Sequence, residues 1–89
     1  MVHRYLEVTY RNGKPLAAYL YLPRREGDKS ARVEPHGRGY LVDWTQDGRP
    51  IGIEMTSPSQ VTLEGLNEVL TGLHLERLAP DEASPLVAA

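Results

Sequence analysis

Residues 40–55 read YLVDWTQDGRPIGIEM. Two alternating apolar runs flank an Asp-Gly, the pattern of two antiparallel strands and their turn. Successive strand residues point to opposite faces. Tyr40, Val42 and Trp44 therefore share a core face with Ile51, Ile53 and Met55 if Trp44 pairs with Ile51 and Val42 with Ile53. That pairing needs an even turn, Asp47-Gly48 alone or Gln46 to Arg49. It also sets Asp43 opposite Gly52, with Glu54 as the diagonal neighbour of Asp43 on the non-core face. Such neighbours lie roughly 7–8 Å apart at Cα. Gly52 between them would leave a dimple open to water or to a partner's backbone.

Upstream, RYLEVTY (residues 4–10) alternates in the same way, and Asn12-Gly13 marks a turn into the return strand LAAYLYL (residues 16–22). A two-residue turn would place Leu6 and Val8 on the face of Tyr19 and Tyr21. A three-residue turn, Arg11 to Gly13, pairs Tyr10 with Lys14 and Val8 with Leu16, and gathers the aliphatic side chains on one side. The pairing parity favours the three-residue turn, because a one-residue slip moves every side chain to the other face. Tyr5, Tyr19 and Tyr21 then share the face opposite the aliphatic core. Pro23 ends the second strand, and PRREGDKS (residues 23–30) forms a polar loop. A short third strand is expected over 31–34 with Val33 inward, followed by a break at Pro35-His36-Gly37.

Downstream, Leu63, Leu66, Leu70 and Leu73 recur at helical spacing with Val69 beside them. Thr62 is the predicted N-cap, Val61 and Leu66 the predicted hydrophobic staple, and Gly72 the predicted stop. Ser57 with Pro58 offers a second possible start. The fold class is therefore α+β: a small antiparallel meander of four to five strands, with one C-terminal amphipathic helix packed on the sheet. Residues 1–78 are expected as a single domain and 79–89 as a flexible tail.

The totals set limits on function. The chain has 89 residues and no cysteine. It therefore has a modest core, no disulfides, no thiolate chemistry and no Cys-bound metal. There is no signal segment and no membrane-length apolar run, so a soluble cytoplasmic protein without membrane attachment is expected. Residues 1–45 hold eight Arg and Lys against five Asp and Glu, whereas residues 46–89 hold two against seven. The basic excess lies largely in the loop over residues 24–32 and in Arg38, and the loop reads as a solvated surface loop.

Asp43 and Glu54 on one strand face could bind a cation or act as an acid–base pair. No third ligand is indicated nearby, so no metal, cofactor or catalytic set is assigned. Solvent-facing carboxylates are the simpler reading, with one able to reach a cation such as Arg49. His3, His36 and His74 share no metal-ligand spacing, and His36 is expected to be exposed in its turn. Exposed Tyr5, Tyr19 and Tyr21 suit a protein interface, or the stacking of nucleic-acid bases. Glu7 among them, and the lack of interleaved cations, argue against a phosphate-bearing ligand.

Two segments together, AYLYL (residues 18–22) and, about twenty residues later, LVDWTQDGRPIGIEM (residues 41–55), resemble the small bacterial proteins of domain-of-unknown-function family 2283. Tyr19, Asp43, Gly48, Gly52, Ile53 and Glu54 occupy that family's motif places, and the resemblance spans residues 8–57. The sequence departs from the family's pattern at RNGKP (residues 11–15), where an Asp-rich turn is usual and Arg11 replaces an aspartate. The family has no assigned activity. The resemblance implies the fold and a partner-binding role. The expected function is a non-catalytic protein-interaction module that forms homo-oligomers and binds a small protein. Alternatives are a small hydrolase or metal-assisted enzyme using Asp43, Glu54 and His36, and an RNA-binding module using the arginine-rich loop with Tyr19 and Tyr21.

Overall fold

A computed structural model describes residues 3–87. Five antiparallel strands form one open sheet: β1 (Tyr5–Arg11), β2 (Lys14–Tyr21), β3 (Arg32–Pro35), β4 (Tyr40–Trp44) and β5 (Pro50–Met55). Their spatial order is β1-β2-β5-β4-β3. The β1–β2 hairpin thus lies beside the β3–β4–β5 meander, with β2 paired to β5. The connection from β2 to β3 must pass the ends of β5 and β4. It is pinned to both, by Leu22 N–H donating to Ile51 O (3.2 Å) and Ala31 N–H donating to Trp44 O (2.8 Å).

Both hairpins resolve a conflict between turn chemistry and core parity. In the first, Asn12 (φ 53°) and Gly13 (φ 76°) form a two-residue turn that pairs Arg11 with Lys14. The three-residue turn expected from parity is not used. Between Tyr10↔Pro15 and Thr9↔Ala17 the register shifts by one residue, leaving Leu16 as the extra residue of a β-bulge. Val8 then faces Ala18 and Leu6 faces Leu20, so the aliphatic side chains still gather on one side. The exception is Leu16 itself, which is 57% exposed instead of joining the core. In the second hairpin, Thr45 N–H donates to Arg49 O (2.9 Å) around a three-residue turn with Gly48 at φ 90°. The expected even turn is replaced by this odd one plus a bulge at Ile51, so Trp44 faces Pro50 while Asp43↔Gly52 and Val42↔Ile53 hold as expected.

The core lies on one side of the sheet. Ala18, Leu20, Leu22, Val42, Ile53 and Met55 are buried there against Leu66 and Leu70 of helix α1 (Leu63–Gly72). Burying each of these leucines contributes about 1.5–3 kcal/mol. Thr62 caps the helix by accepting from Gly65 N–H at 3.0 Å. A separate 3₁₀ turn over Pro58–Gln60 precedes it, begun by Pro58 without a capping bond from the Ser57 side chain, so the helix itself starts at the Thr62 cap. The stop falls beyond Gly72. His74 takes the left-handed conformation (φ 60°), its N–H donates to Thr71 O (3.0 Å) and Leu75 N–H donates to Leu70 O (2.8 Å), the paired bonds of a Schellman motif. Gly65 inside the helix admits the Tyr40 hydroxyl, which would lie 2.8 Å from a Cβ there.

The segment after the helix is tied to the domain as far as it is described. The side chain of buried Asn67 holds Leu78 at both backbone groups, accepting from its N–H (2.7 Å) and donating to its carbonyl (3.1 Å). Ala79 N–H donates to Glu82 (2.9 Å), Ala83 is buried, and a short helix α2 (Ser84–Val87) contacts β1. Arg4 reaches the carbonyls of Glu76 and Arg77, and Tyr10 donates to Pro85 O at 3.0 Å. No helix is long and apolar enough to cross a membrane among the described residues.

Candidate functional site

The face opposite the helices carries the candidate residues. Strand pairing sets them in two cross-sheet rows. One row runs Tyr5, Tyr21, Gly52, Asp43, Val33; the other runs Glu7, Tyr19, Glu54, Leu41. Val33, expected inward, therefore points away from the core and is 53% exposed, because it pairs with Asp43 while Glu34 takes the place opposite Val42.

The three tyrosines form a continuous aromatic surface. Tyr5 stacks on Tyr21 with ring centroids 4.6 Å apart, and Tyr19 meets Tyr21 edge-on at 4.7 Å. Tyr19 lies over Gly52: a Cβ on Gly52 would sit 1.8 Å from the Tyr19 hydroxyl oxygen. The expected open dimple is thus filled from within the chain. An aromatic ring laid on a cross-strand glycine covers backbone that would otherwise be bare.

Asp43 is held by donors, and none of them is Arg49. Tyr19 donates to its Oδ2 at 2.6 Å and Ser30 donates to its Oδ1 at 2.8 Å. Arg24 donates to the Tyr19 hydroxyl at 3.3 Å and to Ile51 O at 3.2 Å, and its guanidinium carbon lies 5.3 Å from the centre of the Tyr21 ring. The start and end of the β2–β3 loop are thereby fastened onto the tyrosine face. Burial raises the Tyr19 phenol well above the usual tyrosine range, and the adjacent Asp43 carboxylate raises it further. Tyr21 is raised in the same direction by burial and by Glu7.

Arg49 goes elsewhere. It makes two bonds to Asp28 (2.7 and 2.9 Å) and one to Asp47 (3.0 Å). The Arg49 bonds, followed by the Arg25 backbone N–H, hold the Asp28 carboxyl well below the ordinary range. Sequence reading missed this clamp, because Asp28 and Arg49 lie 21 positions apart and meet only through the β2–β3 crossing.

His36 is placed apart from Asp43 and Glu54. It is half-buried, not exposed as its turn suggests, with its ring 5.9 Å from that of Trp44. Trp44 is half-buried at the margin of the core, with the Arg32 guanidinium 5.1 Å from its ring centre. The indole N–H is buried without a hydrogen-bond partner among the described residues. Glu54 is exposed and joins no ion pair among the described residues. No group of three His, Asp or Glu side chains positioned to hold a metal occurs among them.

No family model matches the chain, and no curated protein or solved structure is detectably similar to it.

Proposed function

We propose that the chain is a non-catalytic, cytoplasmic protein-interaction module that binds a partner through the open sheet face and self-associates. The observation that carries this reading is the stacked surface of Tyr5, Tyr21 and Tyr19 on a face that no helix covers among the described residues. Aromatic side chains supply large contact area at low entropic cost and are enriched at interfaces. Self-association is supported by the sheet edges. The β3 edge is short, ends in Pro35 and carries an Arg32–Glu34 ion pair, features that discourage pairing. The seven-residue β1 edge has no second strand beside it among the described residues. Light scattering at micromolar concentration should give at least twice the 9.9 kDa chain mass. A monomer would remove self-association from the reading.

One observation favours an enzyme instead: Tyr19 and Ser30 bring hydroxyl groups to Asp43. Both bonds occupy the carboxylate as acceptor, however, and neither Glu54 nor His36 joins them. This is the pattern of a carboxylate that fastens a loop. Loss of a hydrolytic activity in Asp43→Asn, with the fold retained, would restore the enzyme reading.

A further inference from the structure

We propose that the open face binds an arginine-containing basic segment of a partner protein. This rests on the interaction-module reading and adds the partner's chemistry. The face already holds one guanidinium. Arg24 lies against the Tyr21 ring and donates to the Tyr19 hydroxyl, so this surface accepts a planar cation both by its π-face and by its oxygen atoms. Beside it the charge is negative. Glu7 and Glu54 are the cross-strand neighbours of Tyr19, one on each side. Both are exposed and neither forms a salt bridge among the described residues; Glu7 accepts one long bond from the Tyr21 hydroxyl (3.5 Å), which leaves its second oxygen for a ligand. Tyr5, stacked on the other side of Tyr21, is 48% exposed. The free surface is therefore an aromatic platform flanked by two carboxylates.

A guanidinium suits that arrangement better than an ammonium. It stacks flat on a ring while its in-plane N–H groups reach carboxylates at the ring's margin. The same charges disfavour other occupants. A second copy laid face to face would bring Glu54, on the central strand, close to its own counterpart. A nucleic-acid backbone would meet Glu7 and Glu54.

The test is calorimetric titration of the full chain with an octapeptide of alternating arginine and serine. Lysine–serine and glutamate–serine octapeptides and an oligouridine serve as comparisons. The arginine peptide should bind, the lysine peptide about fivefold more weakly, and the other two not at all. Glu7→Gln with Glu54→Gln should weaken arginine-peptide binding about tenfold, and Tyr5→Ala about fivefold, with circular dichroism unchanged. Arginine-peptide binding that ignores all three substitutions overturns the proposal, as does preference for oligouridine. No peptide binding by a chain that light scattering shows to be dimeric overturns the proposal and leaves the module reading standing. No binding by a monomer removes both.

Discussion

The Tyr19 hydroxyl lies 2.6 Å from Asp43 Oδ2, spanning the bare backbone of Gly52 on the strand between them. Three strands are thus joined by one side chain, which fits only because the middle residue has no Cβ. Gly52→Ala should force the ring aside and break the bond to Asp43, costing about 1–3 kcal/mol. In a Tyr19→Ala background the same substitution should cost far less. A double-mutant cycle by urea denaturation checks this, and additive losses would contradict the packing described.

Tyr19 should be the last tyrosine to ionise. Its folded pKa is raised above the unfolded value of about 10, so its contribution to stability is complete below that pH and is lost as the pH climbs toward the folded value. Phenolate absorbance should show a late-titrating component that disappears in Tyr19→Phe.

Asp28 acts at the other end of the pH scale. Its folded pKa lies below the unfolded value of about 3.9. The Arg49 clamp therefore contributes fully above that pH and fades as the pH falls through the depressed folded value. Asp28→Asn should lower the melting temperature near neutrality and make little difference in strong acid. A constant gap between parent and variant at all pH values would be inconsistent with the clamp.

Asn67 satisfies both backbone groups of buried Leu78. Asn67→Ala should cost about 2–4 kcal/mol, since each buried group left without a partner costs about 1–3 kcal/mol. Urea denaturation measures the loss, and a change under about 0.5 kcal/mol would show that water replaces the amide.

Truncation after Leu78 should destabilise the domain by about 2 kcal/mol through loss of the Ala83 and Leu86 contacts with it. Equal melting temperatures for the parent and the truncated chain would show that residues 79–89 behave as a free tail.

Much of the sheet was legible because periodicity is a strong signal. The faces of Val8, Leu20, Val42 and Ile53 follow from alternation alone, as does the pairing of Asp43 with Gly52. The turns depart from the parity expectation because parity is settled within the strands, not within the loops. Asn12-Gly13 and Gly48 kept their preferred local geometries, and the odd residue went into the strands at Leu16 and Ile51. The Leu-rich helix was visible, but its end was not: the Schellman cap uses His74, a residue without glycine's freedom at positive φ. Of the candidate site, the shared tyrosine face could be read. The links from Tyr19 and Ser30 to Asp43, and from Arg49 to Asp28, could not. They depend on how the β2–β3 loop crosses the sheet, which no local pattern encodes.

The two bulges are unequal in what they leave open to length variation. Removing Leu16 would leave Arg11↔Lys14, Tyr10↔Pro15 and Thr9↔Ala17 paired as they are, now in uninterrupted sequence, and would delete only an exposed side chain. Removing Ile51 would likewise keep Trp44↔Pro50 and Asp43↔Gly52, but would empty a fully buried core position and take away the carbonyl that Leu22 and Arg24 share. Single-residue deletions should therefore be tolerated in the first hairpin and rejected in the second. The first hairpin is where the chain has freedom to change length, and the second is where its architecture is fixed.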